Sequence, residues 1–292
     1  MLAHAILGPG ARDSDLRRLR STALIVHIHA SGQFMCANDV GFFIVLGGDG
    51  TIHRFLPELV RLQKPVLIVP CGSGNDLARA LGIRSVADAA GLARDFVHGN
   101  AAFHHIDIGI ITDSMGKETP FCCTAGLGLD AVAGQVANRM PSWLRARGGY
   151  LIAAMSAVFI NPNLELTVSP LSGSEPETIQ RTACLFTMAN TPSFGGGLPI
   201  APDARLDDGQ FDCILADAMT QPRLARAAFA LFRGAHLALP EVNFMQVAGV
   251  HIETNLPANV FADGEFVCNT PCDVRIAPRA LCVVSLRTGS SK

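Results

Sequence analysis

The sequence predicts an α/β domain followed by a β-rich domain, on three observations. Residues 1 to about 115 alternate short apolar runs with helical patterns, the order of a parallel sheet with helices on its faces. Two of those runs, 42–46 and 65–70, are each followed by a glycine loop: Gly47-Gly48-Asp49-Gly50-Thr51 and Gly72-Ser73-Gly74-Asn75-Asp76. Beyond residue 164 the texture changes to short alternating strands separated by Gly, Pro, Asp and Asn, which reads as an antiparallel sandwich or barrel.

In the first part, strands are expected at 3–7, 23–27, 42–46 and 65–69, and helices at 13–20, 53–63, 76–81 and 86–97. The polar stretch 112–120 breaks this pattern and marks a boundary, giving domains at 1–118 and 119–292. A return of the final residues to the first domain is left open. A glycine-rich turn is expected at 124–130, then a helical region over 131–159 with a kink near Pro141. Further strands are expected at 164–168, 183–188, 211–215, 247–254 and 280–286, a helix at 224–237 and a surface loop at 171–180.

Composition narrows the class. Of 292 residues, 49% are hydrophobic and 16% charged, so a buried core is easily supplied and a greasy surface patch is allowed. The net charge of −2 gives no basic field for nucleic acid. Nine cysteines, an odd number without repeating spacing, include Cys36, Cys71, Cys122, Cys123, Cys184 and Cys213; they read as reduced core residues of a cytoplasmic protein. Residues 1–7 lack the basic start of a signal peptide, and the apolar stretch 150–160 is about half the ~20 residues of a membrane span. Only peripheral membrane contact is expected. Arg139, Arg145 and Arg147 near Trp143 could meet an anionic inner membrane face, although such a group is more often a solvated helix face.

The glycine loops carry the chemistry. Gly47, Gly48 and Gly50 permit tight turns, and Thr51 opens a helix whose N-terminus favours negative charge. Asp49 would repel a phosphate unless it held Mg²⁺ or oriented a hydroxyl near the transferred group; a capping Asp in an ordinary turn is the alternative. In the second loop Gly72 and Gly74 relieve crowding, Ser73 and Asn75 offer uncharged hydrogen bonds, and Asp76 is expected to cap the next helix. Two such loops in succession point to phosphoryl transfer from a nucleotide. Gly116-Lys117 is no Walker loop, because Glu118 follows it. The nine histidines form no zinc pattern; His27 and His29 share a strand face without a third ligand, and His104 and His105 point to opposite faces.

With these motifs the chain resembles the diacylglycerol kinase catalytic family, in its bacterial soluble lipid-kinase branch related to sphingosine kinases. The matching text is GGDGT (47–51), PCGSGNDLAR (70–79), AGLGLDA (125–131), FGGGLPIAPDARLDDGQFD (194–212) and ADGEF (262–266). The resemblance implies a nucleotide-binding α/β domain, a β-sandwich domain, an active site in the cleft between them, and ATP with Mg²⁺. It also implies Asp263 as the base that accepts the proton of a lipid hydroxyl, supported by Glu265; a plain Asp-Gly hairpin turn is the alternative. A structural Mg²⁺ site is implied at the carbonyls of Arg205 and Gln210 and the carboxylate of Asp208, with a solvated turn as the alternative.

The chain departs from the family pattern in three places. An Asn-containing first loop is replaced by Gly8-Pro9-Gly10-Ala11, the segment around 30–39 is short, and His53 and Arg54 stand where Asn and Glu are usual. The reading is an ATP- and Mg²⁺-dependent kinase of diacylglycerol or a related lipid. The alternatives are an NAD-kinase-like enzyme with a soluble acceptor and a non-catalytic nucleotide- or lipid-binding regulator. A homodimer is left open.

Overall fold

The computed structural model describes residues 2–20, 25–29, 41–140, 163–171 and 177–285. The chain divides into two compact units, one of residues 1–106 with the residues from Arg279 onward, the other Asp107–Pro278.

The first unit contains β1 (Leu2–Leu7), α1 (Asp13–Arg20), β2 (Ile25–His29), β3 (Phe42–Gly47), α2 (Asp49–Leu62), β4 (Val66–Pro70), α3 (Asp76–Ala80) and α4 (Val86–Val97). The strands pair in parallel in the order β2-β1-β3-β4, with Ala3 beside Phe42 and Phe43 beside Val66. All six residues of β3 are buried, the signature of a parallel strand covered on both faces. Helix α2 buries Ile52, Leu56 and Leu59 at helical spacing, each contributing roughly 1.5–3 kcal/mol of burial. Helix α4 starts where Ser85 accepts the N–H of Asp88 at 3.1 Å, and it buries Ala89, Leu92 and Ala93.

The second unit takes up the chain within β5 (Ala102–Asp113). It continues through β6 (Glu118–Phe121), β7 (Thr124–Gly128), α5 (Leu129–Arg139), β8 (Leu164–Pro170), β9 (Ile179–Ala189), β10 (Phe211–Asp217), α6 (Gln221–Phe232), β11 (Val242–Val247), β12 (Gly249–Thr254), β13 (Asn259–Ala262), β14 (Glu265–Asn269) and the first part of β15 (Cys272–Ser285). Its strands are antiparallel, in the order β14-β13-β7-β9-β8-β12-β15, with β10 and β11 joined to β9 and β6 to β5. Their inner faces share a core that includes Phe121, Phe186, Phe211, Ile252 and Val274; Phe121 stacks on Phe211 with centroids 5.6 Å apart. The last part of β15 belongs to the first unit, where Val283 pairs in parallel with Val66.

Several expectations are corrected. The polar stretch 112–120 is a hairpin between β5 and β6, in which the Asp113 carboxylate accepts the N–H groups of Met115 and Lys117, both at 2.9 Å. By contacts, the compact units divide after Ile106, inside β5. The expected turn 124–130 is the fully buried strand β7 running into α5. Its glycines are packing residues; a Cβ on Gly126 would lie 3.0 Å from the Phe186 carbonyl oxygen of the adjacent strand. The run 247–254 is two strands meeting at Ala248, and helix α6 ends at Phe232. The segments 30–39 and 141–159, with Trp143, Arg145 and Arg147, lie outside the described residues, as does Cys36. Of the other cysteines anticipated in the core, Cys122, Cys123, Cys184 and Cys213 are buried thiols and Cys71 is a half-buried one. Among the described residues, no helix is long and apolar enough to cross a membrane.

Candidate functional site

The two glycine loops lie at the carboxyl ends of β3 and β4 and touch through their backbones. A Cβ on Gly48 would lie 2.8 Å from the Cα of Gly72, closer than real Cβ contacts. Glycine at these positions therefore serves the contact between the loops themselves. Asp49, the first residue of α2, completes that contact. Its Oδ2 accepts the N–H of Asp76 at 3.0 Å, and its Oδ1 accepts the N–H of Leu77 at 3.2 Å.

That geometry corrects the expected capping. Asp76 does not cap α3; its buried carboxylate pairs with Arg79 Nη1 at 2.6 Å, and Arg79 Nη2 donates to the Gly74 carbonyl at 3.1 Å. The cap comes from Asp49 on the other loop, and it occupies the first two amides of α3. Asn75, at φ 56°, holds the second loop in shape. It accepts the Gly72 N–H at 2.9 Å and donates to the Gly72 carbonyl at 2.8 Å. The start of α2 has Gly48 as its N-cap and no side-chain cap, and the N–H groups of Thr51 and Ile52 bond to the Gly48 carbonyl. Of the two helix starts, that of α2 is the one suited to an anion. Ser73 is exposed, and Thr51 packs against Gly47, where a Cβ would lie 2.5 Å from the Thr51 Cβ.

The shortened first loop joins the same platform. The Gly8 N–H donates to Leu46 at 2.7 Å, and the Cys71 N–H donates to Gly47 at 3.1 Å. A side chain at Gly10 would overlap the Cys71 carbonyl. Burial, with the Asp15 carboxylate beside it, pushes the Cys71 thiol up to about 11, so this cysteine stays protonated. Arg54 lies on the exposed side of α2 over the Phe55 ring, 5.6 Å from its centroid.

In the second unit Asp263 and Gly264, at φ 49° and 85°, form the two-residue turn between β13 and β14. The Asp263 carboxylate accepts three backbone N–H groups from the link between β6 and β7: Cys122 at 2.9 Å, Cys123 at 2.8 Å and Thr124 at 3.3 Å. Its own N–H donates to the Thr124 carbonyl at 2.9 Å. These bonds fix the carboxylate in one orientation. Glu265, paired with Ala262 across the turn, is exposed.

The residues expected around a structural cation lie on one exposed turn. Asp208 Oδ1 accepts the Gln210 N–H at 3.1 Å, and the Arg205 side chain reaches Asp207 at 3.3 Å. The buried Asp107 carboxylate anchors that turn through the Gly209 N–H at 2.7 Å. Asp212, also buried, has an Oδ2 without a hydrogen-bond partner; burial first, then the charges of Asp208 and Asp203, push its carboxyl up. Asp203 and Asp208 are close enough to Asp212 to repel its charge, and the oxygens of all three are of the type a hard cation takes. Among the described residues no three His, Cys, Asp or Glu side chains are grouped to hold a metal, so a site here would depend on backbone carbonyls.

Sequence reading did not anticipate an apolar cavity in the second unit. It lies between α5, α6 and the sheet face carrying Ile214 and Ala216, partly open to solvent, with a volume of about 100 Å³. Leu185, Phe194, Leu224, Leu231 and Val242 are typical of its walls, and Asp130 and His236 are their two ionisable residues. His236 Nε2 lies 2.8 Å from the Ile200 carbonyl, and burial lowers its pKa, so the ring is neutral.

Comparison with known proteins places the chain. Residues 19–110 match the diacylglycerol kinase catalytic domain, and residues 123–285 match the YegS C-terminal NAD kinase beta sandwich-like domain. A diacylglycerol kinase of Mycobacterium tuberculosis is 35% identical over 246 residues, covering 84% of this chain and 77% of that one. The chain belongs to the diacylglycerol kinase family. Another member, from Bacillus subtilis, is 29% identical over 225 residues, 76% of this chain and 70% of that one. The fold agrees with a Bacillus anthracis diacylglycerol kinase structure at a TM-score of 0.70, 18% identity and coverage of 98% and 97%. It agrees more distantly with an Archaeoglobus fulgidus NAD kinase solved with ATP, at a TM-score of 0.55, 15% identity and coverage of 98% and 94%.

The two glycine loops are thus one connected structure, and the Asp263-Gly264-Glu265 turn is held by three amides. The cavity had a signal in the sequence that went unread. Leu224, Ala227, Ala228 and Leu231 recur at helical spacing on a helix with no acidic residue.

Proposed function

We propose that the protein is a lipid kinase that transfers the γ-phosphate of ATP to the hydroxyl of diacylglycerol or a closely related lipid. The observation that carries this reading is the apolar cavity in the β-rich unit, whose walls are aliphatic and aromatic but for Asp130 and His236. Such walls suit acyl chains, whose burial contributes about 0.8 kcal/mol per methylene. They offer few partners for the ribose and amide groups of NAD, which speaks against an NAD-kinase-like acceptor despite the shared fold.

In this reading the nucleotide phosphates lie on the loop of Gly47, Gly48, Gly50 and Thr51, against the uncapped start of α2. The second loop, Gly72 to Asp76, supports the first through Asp49 rather than through the amides of α3. Asp263, oriented by Cys122, Cys123 and Thr124, accepts the proton of the lipid hydroxyl as its oxygen attacks the γ-phosphorus and ADP departs. Glu265 adds negative charge beside that base. Asp208 and the carbonyls of Arg205 and Gln210 would hold Mg²⁺, which when bound would neutralise the charge shared with Asp212. The rest of the rate enhancement comes from positioning.

Narrowing the cavity tests the acceptor assignment. Ala228→Trp should raise the KM for dioctanoylglycerol at least tenfold while leaving the KM for ATP unchanged. Unaltered KM for the lipid would place the acyl chains elsewhere.

A further inference from the structure

We propose that the outer face of α6 docks on an anionic lipid bilayer. This inference rests on the lipid-kinase reading for its purpose, but its geometry stands apart. Leu224, Ala227, Ala228 and Leu231 face the cavity. On the opposite side Pro222, Ala225, Arg226, Phe229 and the adjoining Arg233 are exposed, at the spacing of one helical face.

That outer face lacks the mixed charge of an ordinary solvated helix. No acidic residue occurs in α6, and its acid-free surface contrasts with the chain's net charge of −2. Arg223 pairs with Glu241 at 3.3 Å, whereas Arg226 has no carboxylate partner among the described residues. Phe229 is 57% exposed, with the Arg233 guanidinium 4.3 Å from its ring centroid. An aromatic ring flanked by guanidinium groups suits the headgroup layer of an anionic bilayer, where the ring enters the acyl boundary and the cations meet phosphate.

A second exposed apolar group lies on the strand beyond β10. Phe244 on β11 is 48% exposed and lies opposite Ile214 of β10. Opposed residues of antiparallel strands share a face, and Ile214 with Val242 lines the cavity. Phe244 is therefore on the cavity side of β11, which pairs with β10 alone among the described strands. The docking face and the cavity are thus the two sides of one helix.

Co-sedimentation with vesicles tests this. Vesicles of phosphatidylcholine alone are compared with vesicles containing roughly one-third phosphatidylglycerol, at low and high salt. Binding should require phosphatidylglycerol and weaken with salt. Arg226→Glu with Arg233→Glu should lower the partition at least tenfold, and Phe229→Ser at least fivefold, with melting temperatures unchanged. Both variants should still phosphorylate dioctanoylglycerol in bilayer-free solution. Wild-type partition in the variants, or equal binding to neutral vesicles, would overturn the proposal. So would a change in self-association by Phe229→Ser that left vesicle binding intact, since the face would then be a protein contact. Anionic-vesicle binding lost in the variants, in a protein inactive on every lipid, would uphold the docking face and defeat the kinase reading.

Discussion

The carboxylate of Asp49 accepts the backbone N–H of Asp76 at 3.0 Å, so the first residue of α2 caps the first residue of α3. With the Leu77 N–H on its other oxygen, one side chain fixes the spacing of both glycine loops. A capping carboxylate typically contributes about 1–2 kcal/mol. Asp49→Ala should lower the urea unfolding free energy by roughly that amount, and Asp49→Asn, which keeps one acceptor, by less. An Asp49→Ala protein as stable as the wild type would contradict the clamp.

Two glycines make opposite predictions. Gly72 backs onto Gly48, so Gly72→Ala must move one loop and should cost about 2 kcal/mol or more, with loss of nucleotide affinity. Gly91 sits inside α4 with nothing within 4 Å of a Cβ there. Gly91→Ala should therefore stabilise by about 0.5–1 kcal/mol. Thermal melts of the pair check both signs.

Asp263 separates stability from turnover. Removing its carboxylate leaves three amides without an acceptor, and Asp263→Ala should cost about 1–3 kcal/mol. Asp263→Asn keeps an acceptor oxygen and should recover much of the stability. If Asp263 is the base, kcat still falls about 10²–10⁴-fold in both variants, with the KM for ATP little changed. Turnover that recovered in step with stability would reduce Asp263 to a structural role.

His251 gives the protein a pH-dependent contact. Its Nδ1 lies 2.5 Å from Asp273 and its Nε2 3.2 Å from Glu253. The hydrogen bond to Asp273, ahead of that to Glu253, raises the imidazole pKa above its ordinary value. A folded-state pKa above the unfolded one stabilises fully below about pH 6.5 and loses that stability as pH rises through the raised value. The side chain is 38% exposed, so solvent screening limits the contribution to about 1 kcal/mol or less. The stability gap between wild type and His251→Gln should be largest near pH 5.5 and close by pH 9.

Periodicity made much of the fold legible. The continuous apolar run of β3 and the spaced alanines and leucines of α4 announce a buried strand and an amphipathic helix. Strand β7 was hidden because Gly126 and Gly128, which read as a turn, are the residues that let β9 approach. The β5–β6 hairpin was hidden because Asp113 and Gly116 make a polar turn that mimics a domain linker. At the site the Asp-Gly turn was readable as a turn. Its function as an anchor was not, since the amides it holds are about 140 residues away in sequence. The Asp49 clamp was equally invisible, because it joins two loops 27 residues apart through a contact that no local pattern encodes.

The most direct measurement incubates the protein with γ-labelled ATP, Mg²⁺ and micelles of diacylglycerol, beside an NAD control and the Asp263→Ala variant. The account predicts label in the lipid, none in NAD, and loss of the lipid label in the variant. Label in NAD with none in lipid, or ATP binding with no phosphorylated product, would contradict it.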